Sequence, residues 1–230
     1  MDDKKYYRKL YDRVGKDIGW DFRYLGETKI GRKWDFFQEV SKKVKKGDLL
    51  LDIGTGGGER VFEIANKLLL VVGIDLSISM VETAKKNLSG KKVKNVRFLQ
   101  MNSHNLKFPN DFFDIITARH CDFSTKEVYR VLKKGGYFAT QQVSEHDKIN
   151  IKNEFSRGQS YGKKDGSLKK RYLKELKEVG FKKIKSDDYN STEHYKKKDD
   201  IIYILKHTPI IPYFGDKSDD YKKLEKFFEK

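Results

Sequence analysis

Glycines and two acidic residues follow apolar segments between residues 49 and 75. Residues 49–53 are apolar apart from Asp52, and residues 54–58 form a turn crowded with glycine. A second apolar segment ends in Asp75, at the spacing of about 20 residues at which an acid can bind ribose hydroxyls. Glycine lets main-chain groups approach a polar ligand closely, and the segment after the turn is expected to add the positive end of a helix. The pattern predicts a site for a nucleotide-type cofactor.

Two kinds of nucleotide cofactor use this order of strand, glycine turn, helix, strand and acid. The dinucleotide fingerprint G-x-G-x-x-G fits Gly54 and Gly56 but fails at Glu59, where its third glycine would stand. The string Asp52-x-Gly54-x-Gly56 instead resembles the first motif of class I S-adenosylmethionine (SAM)-dependent methyltransferases. Their ligand has no pyrophosphate and carries an ammonium group, which the resemblance places near Asp52 and the Gly54 carbonyl. We therefore expect SAM rather than NAD.

The later motifs of the same family follow in order. Residues 96–100 are predicted to form a third strand, and residues 101–109 resemble the family's adenine-binding segment, with Asn102 where the family commonly has Asp. A fourth strand is expected at 113–118. Residues 127–138 are similar to the family's helix, Gly-Gly turn and fifth strand. The chain thus resembles the type 11 methyltransferase-like group, which includes quinone-biosynthesis enzymes.

The resemblance implies a fold and a set of cofactor-binding residues. The fold is α/β, a doubly wound, seven-stranded and mostly parallel sheet of the Rossmann-like type, with an N-terminal helical cap and a C-terminal helix. The last two strands are expected at 181–185 and 201–205. The implied cofactor-binding residues stand at strand ends and in the loops that follow them: Asp52, Gly54, Thr55, Gly56, Asp75, Leu76, Asn102, Ser103 and Arg119.

Helix signals support the alternating β/α order. Ser79-x-x-Glu82 and Ser124-x-x-Glu127 each fit a capping box, so a helix is expected to begin at each. Apolar residues at 61, 64, 65 and 68 predict an amphipathic helix directly after the glycine turn.

We divide the chain into three parts. Residues 1–45 are polar and aromatic and are predicted to form a helical cap. Residues 46–206 are the SAM-binding domain, in which 144–166 are expected to be a substrate lid, with a long solvated loop as the alternative. Residues 207–230 are predicted to be a C-terminal helical tail that packs through an apolar stripe.

Candidate acceptor-side residues stand where predicted strands end and in the lid. Methyl transfer from a sulfonium depends mainly on positioning, so no obligatory triad is expected. His120 or His194 is a candidate general base, because histidine titrates near neutral pH, although either one alone also fits a structural role. Arg119 is the third catalytic candidate. The residues assigned to the substrate are Gln142, Arg157 and Tyr161.

Charge and composition bound the partners. The formal net charge is +16, which suits a nucleic-acid ligand, but the lysines are spread along the chain and most are expected on solvated faces. We therefore expect a small-molecule acceptor. The alternatives are an rRNA or tRNA methyltransferase, and a SAM-binding protein without transfer activity, for which Asn102 is the only hint.

Two further expectations come from what the sequence lacks. Cys121 is the single cysteine and no Cys/His cluster has metal-ligand spacing, so no metal is expected. No apolar run approaches about 18 residues, so a cytoplasmic protein without a membrane partner is expected. The methyl acceptor, the methylated atom and the oligomeric state stay open.

Overall fold

The computed structural model describes residues 3–17, 19–22 and 25–229. Residues 1, 2, 18, 23, 24 and 230, which belong to the predicted cap and tail, lie outside the described residues. Strands β1–β7 span Glu27–Ile30, Leu49–Ile53, Leu70–Asp75, Val96–Gln100, Phe113–Arg119, Leu132–Gln141 and Thr192–Tyr195. Helices α1–α8 span Asp3–Asp17, Phe36–Ser41, Ile78–Ser89, Thr125–Val131, Ile149–Phe155, Ser167–Glu178, Lys198–His207 and Asp220–Phe228. Among these elements, no helix is both long and apolar enough to cross a lipid bilayer.

The chain forms two compact units, each made of three stretches of sequence. Unit 1 comprises Met1–Asp21, Lys33–Gln142 and Leu173–Asp187, and unit 2 comprises Phe22–Arg32, Val143–Tyr172 and Asp188–Lys230. These boundaries differ from those predicted at 45 and 206, because the chain passes several times from one unit to the other. The division into cap, SAM-binding domain, lid and tail concerns function and stays a prediction.

Unit 1 is built on a parallel sheet in the order β4-β3-β2-β5-β6. Nearly every residue of β2 and β3 is buried or half-buried, as expected for parallel strands covered on both faces. Leu50, Val71, Val81 and Phe98 belong to its core. The strand order changes direction between β2 and β5. Ligands of such sheets bind where this change occurs, beyond the carboxyl ends of the strands. The α/β class and the parallel arrangement are confirmed.

The number of strands in the sheet was predicted wrongly. Within the described residues the sheet has five strands rather than seven. Residues 181–185 form no strand, and residues 201–205 lie inside α7, where Ile204 and Leu205 are buried in the core of unit 2. A short run of β-branched apolar residues fits a strand and a buried helix equally well, so its pattern could not separate the two.

The segment after the glycine turn is not the predicted α-helix. Val61–Glu63 and Ala65–Lys67 each form a single 3-10 turn, although their apolar residues are buried in the core as expected. The Gly-Gly turn was also misplaced, since Gly135 lies inside β6 at a shift in the pairing with β5. In the first of these places the apolar spacing correctly predicted burial but not the local backbone.

One of the two N-caps predicted from the capping boxes is confirmed. Ser124 caps α4, with its side chain accepting a hydrogen bond from Glu127 N at 3.3 Å. Helix α3 begins two residues earlier than predicted, because Ser77 rather than Ser79 caps it, accepting from Met80 N at 3.2 Å.

Unit 2 has a small sheet and a core of its own. Strand β1 pairs antiparallel with β7, with Thr28 opposite His194. Ile151 and Phe155 of α5 share an apolar core with Leu224 of α8 and with residues of α7. The region predicted to be a lid therefore contains a short helix with a buried face.

An ion pair joins the loop after α5 to the start of α8. Arg157 Nη2 lies 2.6 Å from Asp220 Oδ1, and the guanidinium also donates to the Pro212 carbonyl. Asp220 is fully buried, and its second carboxylate oxygen accepts from Gly215 N at 2.8 Å. Removing one partner of a buried pair leaves a desolvated charge behind and is strongly destabilising.

We predict that Asp220→Ala lowers the free energy of unfolding by about 3–5 kcal/mol, because it strands the Arg157 guanidinium. The neighbouring Asp219 is a matched control, since it is half exposed and pairs only with Lys223 on the surface. Chemical denaturation of both variants measures the difference. An Asp220→Ala protein as stable as Asp219→Ala would contradict a structural role for this pair.

Candidate functional site

The glycine turn after β2 has a backbone that side chains would disturb. Gly54, Gly56 and Gly58 have φ angles of +68°, +57° and +75°, in the left-handed region that favours glycine. A Cβ at Gly54 would lie 2.7 Å from Cys121 Sγ, so the space is closed as well. The turn therefore brings main-chain groups close to the carboxyl ends of β2 and β5, as predicted. The side chain of Thr55 lies against Gly73, and while burial raises the pKa of Asp52, Thr55 helps to lower it.

Asp75 ends β3 and joins the glycine turn to the next helix. Its Oδ2 atom accepts from Gly56 N at 3.0 Å, and its Oδ1 atom accepts from Ser77 N at 2.9 Å. Burial raises the pKa of this carboxyl group, while these two backbone bonds oppose the shift. The backbone N–H of Leu76 also lowers this pKa, and a carboxylate has about four acceptor sites, so it can still accept from a ligand hydroxyl.

Asp52 is a second acid in the same place, on β2. Its side chain is only 4% exposed, and Thr117 Oγ1 donates to its Oδ1 atom at 2.6 Å. Burial raises its pKa to about 6, with the hydrogen bond from Thr117 opposing that change. A buried carboxylate of this kind favours a cationic ligand, because a nearby positive charge stabilises its ionised form.

The loop after β4 carries the predicted adenine-side residues. Asn102 Oδ1 accepts from His104 N at 2.9 Å, so one lone pair of the oxygen expected to bind the ligand is used within the loop. Ser103 Oγ donates to the Asp122 carbonyl at 3.0 Å, and His104 Nε2 lies 2.8 Å from the Asp122 carboxylate. Met101 N bonds to the carbonyl of Asp75, which places this loop beside Asp75.

Apolar side chains are exposed beside Asp75. Leu76 directly follows it and is 55% exposed, and Ile78 and Leu99 are also exposed. Exposed apolar side chains beside polar strand ends can pack against the face of a planar ligand ring. The predicted role of Leu76 fits this position.

The N-terminal helix contributes residues that sequence reasoning did not single out. Ser77 Oγ donates to Asp12 Oδ1 at 2.6 Å, which fixes α1 to the start of α3. Trp20 packs over Gly56, and its ring makes an edge contact with Tyr11 at 5.7 Å between centroids. Burial raises the pKa of Tyr11, and the charge of Asp75 adds to the effect. Only the density of aromatic residues in this segment hinted at such a role.

The predicted residues at the ends of β5 and β6 come together in unit 1. Arg119 Nε donates to Gln141 Oε1 at 3.3 Å, and Gln142 Nε2 donates to the Cys121 carbonyl at 3.0 Å. His120 is exposed, with a φ angle of +53°. Backbone strain of this kind is concentrated at functional sites.

Three other predicted residues lie in unit 2. His194 is exposed on β7, and Tyr161 lines a cavity of about 520 Å³ together with His146 and Asn153. The guanidinium of Arg157 is bound by Asp220 inside the unit, and its assignment to the substrate stays a prediction. The sequence showed Arg157 in a glycine-flanked segment but not the buried acid that pairs with it.

The described part of the chain holds no group of three or more His, Cys, Asp or Glu side chains that could bind a metal ion. The site is instead a glycine turn with the buried Asp52, the half-buried Asp75 and exposed apolar side chains at neighbouring strand ends. With the parallel sheet, it defines the class of α/β proteins that bind a nucleotide cofactor.

Comparison with known proteins identifies the family. Residues 44–208 match the family described as a methyltransferase domain. The protein MJ1252 of Methanocaldococcus jannaschii is 30% identical over 213 residues, which covers 87% of this chain and 77% of that protein. The chain belongs to this methyltransferase family, and it is a class I SAM-dependent enzyme.

Other relatives match over shorter stretches. The methyltransferase YcgJ of Bacillus subtilis is 41% identical over 96 residues, 39% of this chain and 38% of that protein. The ubiquinone/menaquinone biosynthesis C-methyltransferase UbiE of Vibrio vulnificus is 31% identical over 126 residues, 50% of this chain and 48% of that protein. The chain thus spans less than half the length of each. A SAM-dependent methyltransferase structure from Aquifex aeolicus shares the fold, with a TM-score of 0.50 and 20% identity over 78% of this chain and 88% of that one.

The pKa of Asp52 generates a prediction about stability. An ordinary Asp has a pKa of about 3.9, and the buried Asp52 carboxyl has one of about 6. Between these values the folded protein holds a proton that the unfolded chain has lost. The contribution of Asp52 to the free energy of unfolding therefore falls as the pH rises from about 4 to about 6 and is level outside that window.

We predict that Asp52→Asn stabilises the ligand-free protein at pH 7 by up to about 3 kcal/mol and removes this pH dependence. Denaturation at a series of pH values measures it. The control is Asp114→Asn. Although burial opposes the shift, a hydrogen bond from Lys133 lowers the pKa of Asp114. This substitution is therefore expected to lower the free energy of unfolding at pH 7. An Asp52→Asn protein no more stable than the unaltered one at pH 7 would refute the assignment.

Proposed function

We propose that the protein transfers the methyl group of SAM to a small-molecule acceptor, with Asp52 and Asp75 as the two cofactor-binding acids. The observation that carries this proposal is the pair of carboxylates at the ends of the neighbouring strands β2 and β3, the buried Asp52 and the half-buried Asp75. SAM offers an ammonium group and ribose hydroxyls as donors, so its donors match these acceptors in type.

We assign the residues of unit 1 to the two ends of the cofactor, adenosine and methionine. Asp75 accepts from the ribose hydroxyls, and the exposed Leu76 covers one face of the adenine ring. Asn102 and Ser103 stand at the polar edge of the ring in the loop after β4. Asp52 and the backbone of the glycine turn hold the methionine end, where the raised pKa of Asp52 falls again beside an ammonium group.

The acceptor side is assigned to the ends of β5 and β6. SAM supplies a methyl group that is already activated for displacement, so the protein's task is to orient the acceptor and exclude water. Gln142 and Arg119 are the polar groups for orientation. We retain His120 as the candidate general base because its ring is exposed at the end of β5.

One observation supports a small molecule rather than an RNA. Lysines of both units pair with acidic side chains, among them Lys133 with Asp114 and Lys148 with Glu193. The total of +16 already counts these acids, but their positions beside the lysines interrupt the basic surface that a phosphate backbone would contact.

We predict that Asp75→Asn weakens SAM binding at least about tenfold, because a charge-assisted hydrogen bond contributes about 1.5–3 kcal/mol. Asp114→Asn is the matched control. Asp114 also accepts from a backbone N–H, that of Leu49 at 2.9 Å, but it lies at the amino ends of β2 and β5. Calorimetric titration decides the point, and equal SAM affinity in the two variants would contradict the assignment of Asp75.

The acceptor class is tested with isotope-labelled SAM. We expect label to enter a small-molecule fraction of a metabolite extract and not purified tRNA or rRNA. RNA binding should be weak and should be lost between about 50 and 200 mM salt, as for non-specific contacts to phosphate. Methylated RNA, or a tight RNA complex at physiological salt, would replace the small-molecule proposal with the RNA methyltransferase alternative.

A further inference from the structure

Two residues of helix α4 hold the loop that follows β4. We call residues 101–110 the adenine loop. Glu127 Oε2 accepts from Leu106 N at 2.7 Å, and Arg130 donates to the carbonyls of Leu106 and Phe108, each at 2.8 Å. Arg130 also donates to Asn110 Oδ1 at 3.0 Å. The planar guanidinium thus bonds to three separate residues of the loop.

The two residues are also bonded to each other. Arg130 Nε and Nη2 lie 2.8 Å from Glu127 Oε1 and Oε2, a bidentate arrangement. The hydrogen bond from Arg130 lowers the pKa of Glu127, so this carboxylate stays ionised at neutral pH. A paired guanidinium fork is held in one orientation, which is what simultaneous bonding to several carbonyls requires.

The helix itself gains little from this pair. An ion pair with this i,i+3 spacing stabilises a helix by only about 0.2–0.5 kcal/mol. The other bonds of both side chains leave α4 and end on the backbone of the adenine loop, which has no regular secondary structure. Other side chains of the loop, Ser103 and His104, bond to Asp122. The His104–Asp122 pair is more exposed, with 51% and 66% of the side chains accessible against 32% and 21% for Arg130 and Glu127.

We propose that Arg130 and Glu127 are positioning residues that hold the adenine loop ready for the adenine ring of the cofactor. The inference rests on the proposed function, in which this loop binds that half of SAM. A loop fixed before binding loses less conformational freedom when the ligand arrives, so the pair raises affinity without touching the ligand. Its effect is confined to ligands that carry adenine.

The test compares two ligands in three variants by calorimetry. S-adenosylhomocysteine carries the adenine ring, and S-ribosylhomocysteine is the same thioether without it. Arg130→Met removes the fork and keeps an apolar stem, whereas Arg130→Lys keeps the charge and part of the bonding. Lys133→Met is the matched control, because Lys133 is a similarly exposed, ion-paired cation of unit 1 that bonds to Asp114 instead of the loop.

We expect Arg130→Met to weaken S-adenosylhomocysteine about tenfold and S-ribosylhomocysteine less than about twofold. Arg130→Lys should show the same selectivity with a smaller loss, and Lys133→Met should change neither affinity. Hydrogen exchange of the ligand-free Arg130→Met protein should be faster in residues 101–110 than in the rest of unit 1.

Three results would overturn the inference. Equal losses for both ligands would mean that Arg130 only stabilises the unit, and unchanged binding of S-adenosylhomocysteine in both Arg130 variants would mean that the loop needs no support. An unaltered protein that binds neither ligand would instead refute the proposed function, and with it this inference. If Arg130→Met does not fold, the two ligands in Arg130→Lys still separate these outcomes.

Discussion

The carboxylate of Asp75 connects the elements that surround the cofactor site. Its two oxygens bond to Gly56 N and Ser77 N, so the end of β3 fixes both the glycine turn after β2 and the start of α3. Ser77 in turn caps α3 and donates to Asp12, which brings the N-terminal helix to the same point. One acidic residue therefore sets the positions of the turn, the helix and the residues of α1 that lie over it.

A bound ligand explains why Asp52 and Asp75 are withdrawn from solvent. Burial raises the pKa values of Asp52 and Asp75, which means that their charged forms cost stability in the free protein. Carboxylates that destabilise the free protein in this way are typical of functional sites, because a ligand with matching donors replaces the hydrogen bonds to water that the carboxylates lost on folding. A ligand would also explain why Leu76 is exposed beside these acids. A ligand ring that covers Leu76 would remove its apolar surface from water.

Sequence reasoning predicted the glycine turn and the parallel sheet of unit 1 well and described unit 2 poorly. The glycine turn and Asp75 were predictable because a strand, a left-handed turn and an acid have local signatures. The helical state of 201–205 and the pairing of Arg157 with Asp220 were not, because both depend on partners far away in sequence. The role of Arg130 was missed for the same reason, since only the folded chain brings its guanidinium to the carbonyls of the adenine loop.

The most direct test of the central claim is a calorimetric titration of the unaltered protein with SAM and, separately, with NADH. The two cofactors share an adenosine half, but only SAM matches a turn in which Glu59 replaces the third glycine and a buried acid faces a cation. The account predicts one molecule of SAM bound per chain and no measurable binding of NADH. Binding of NADH, or no heat with SAM, would contradict it.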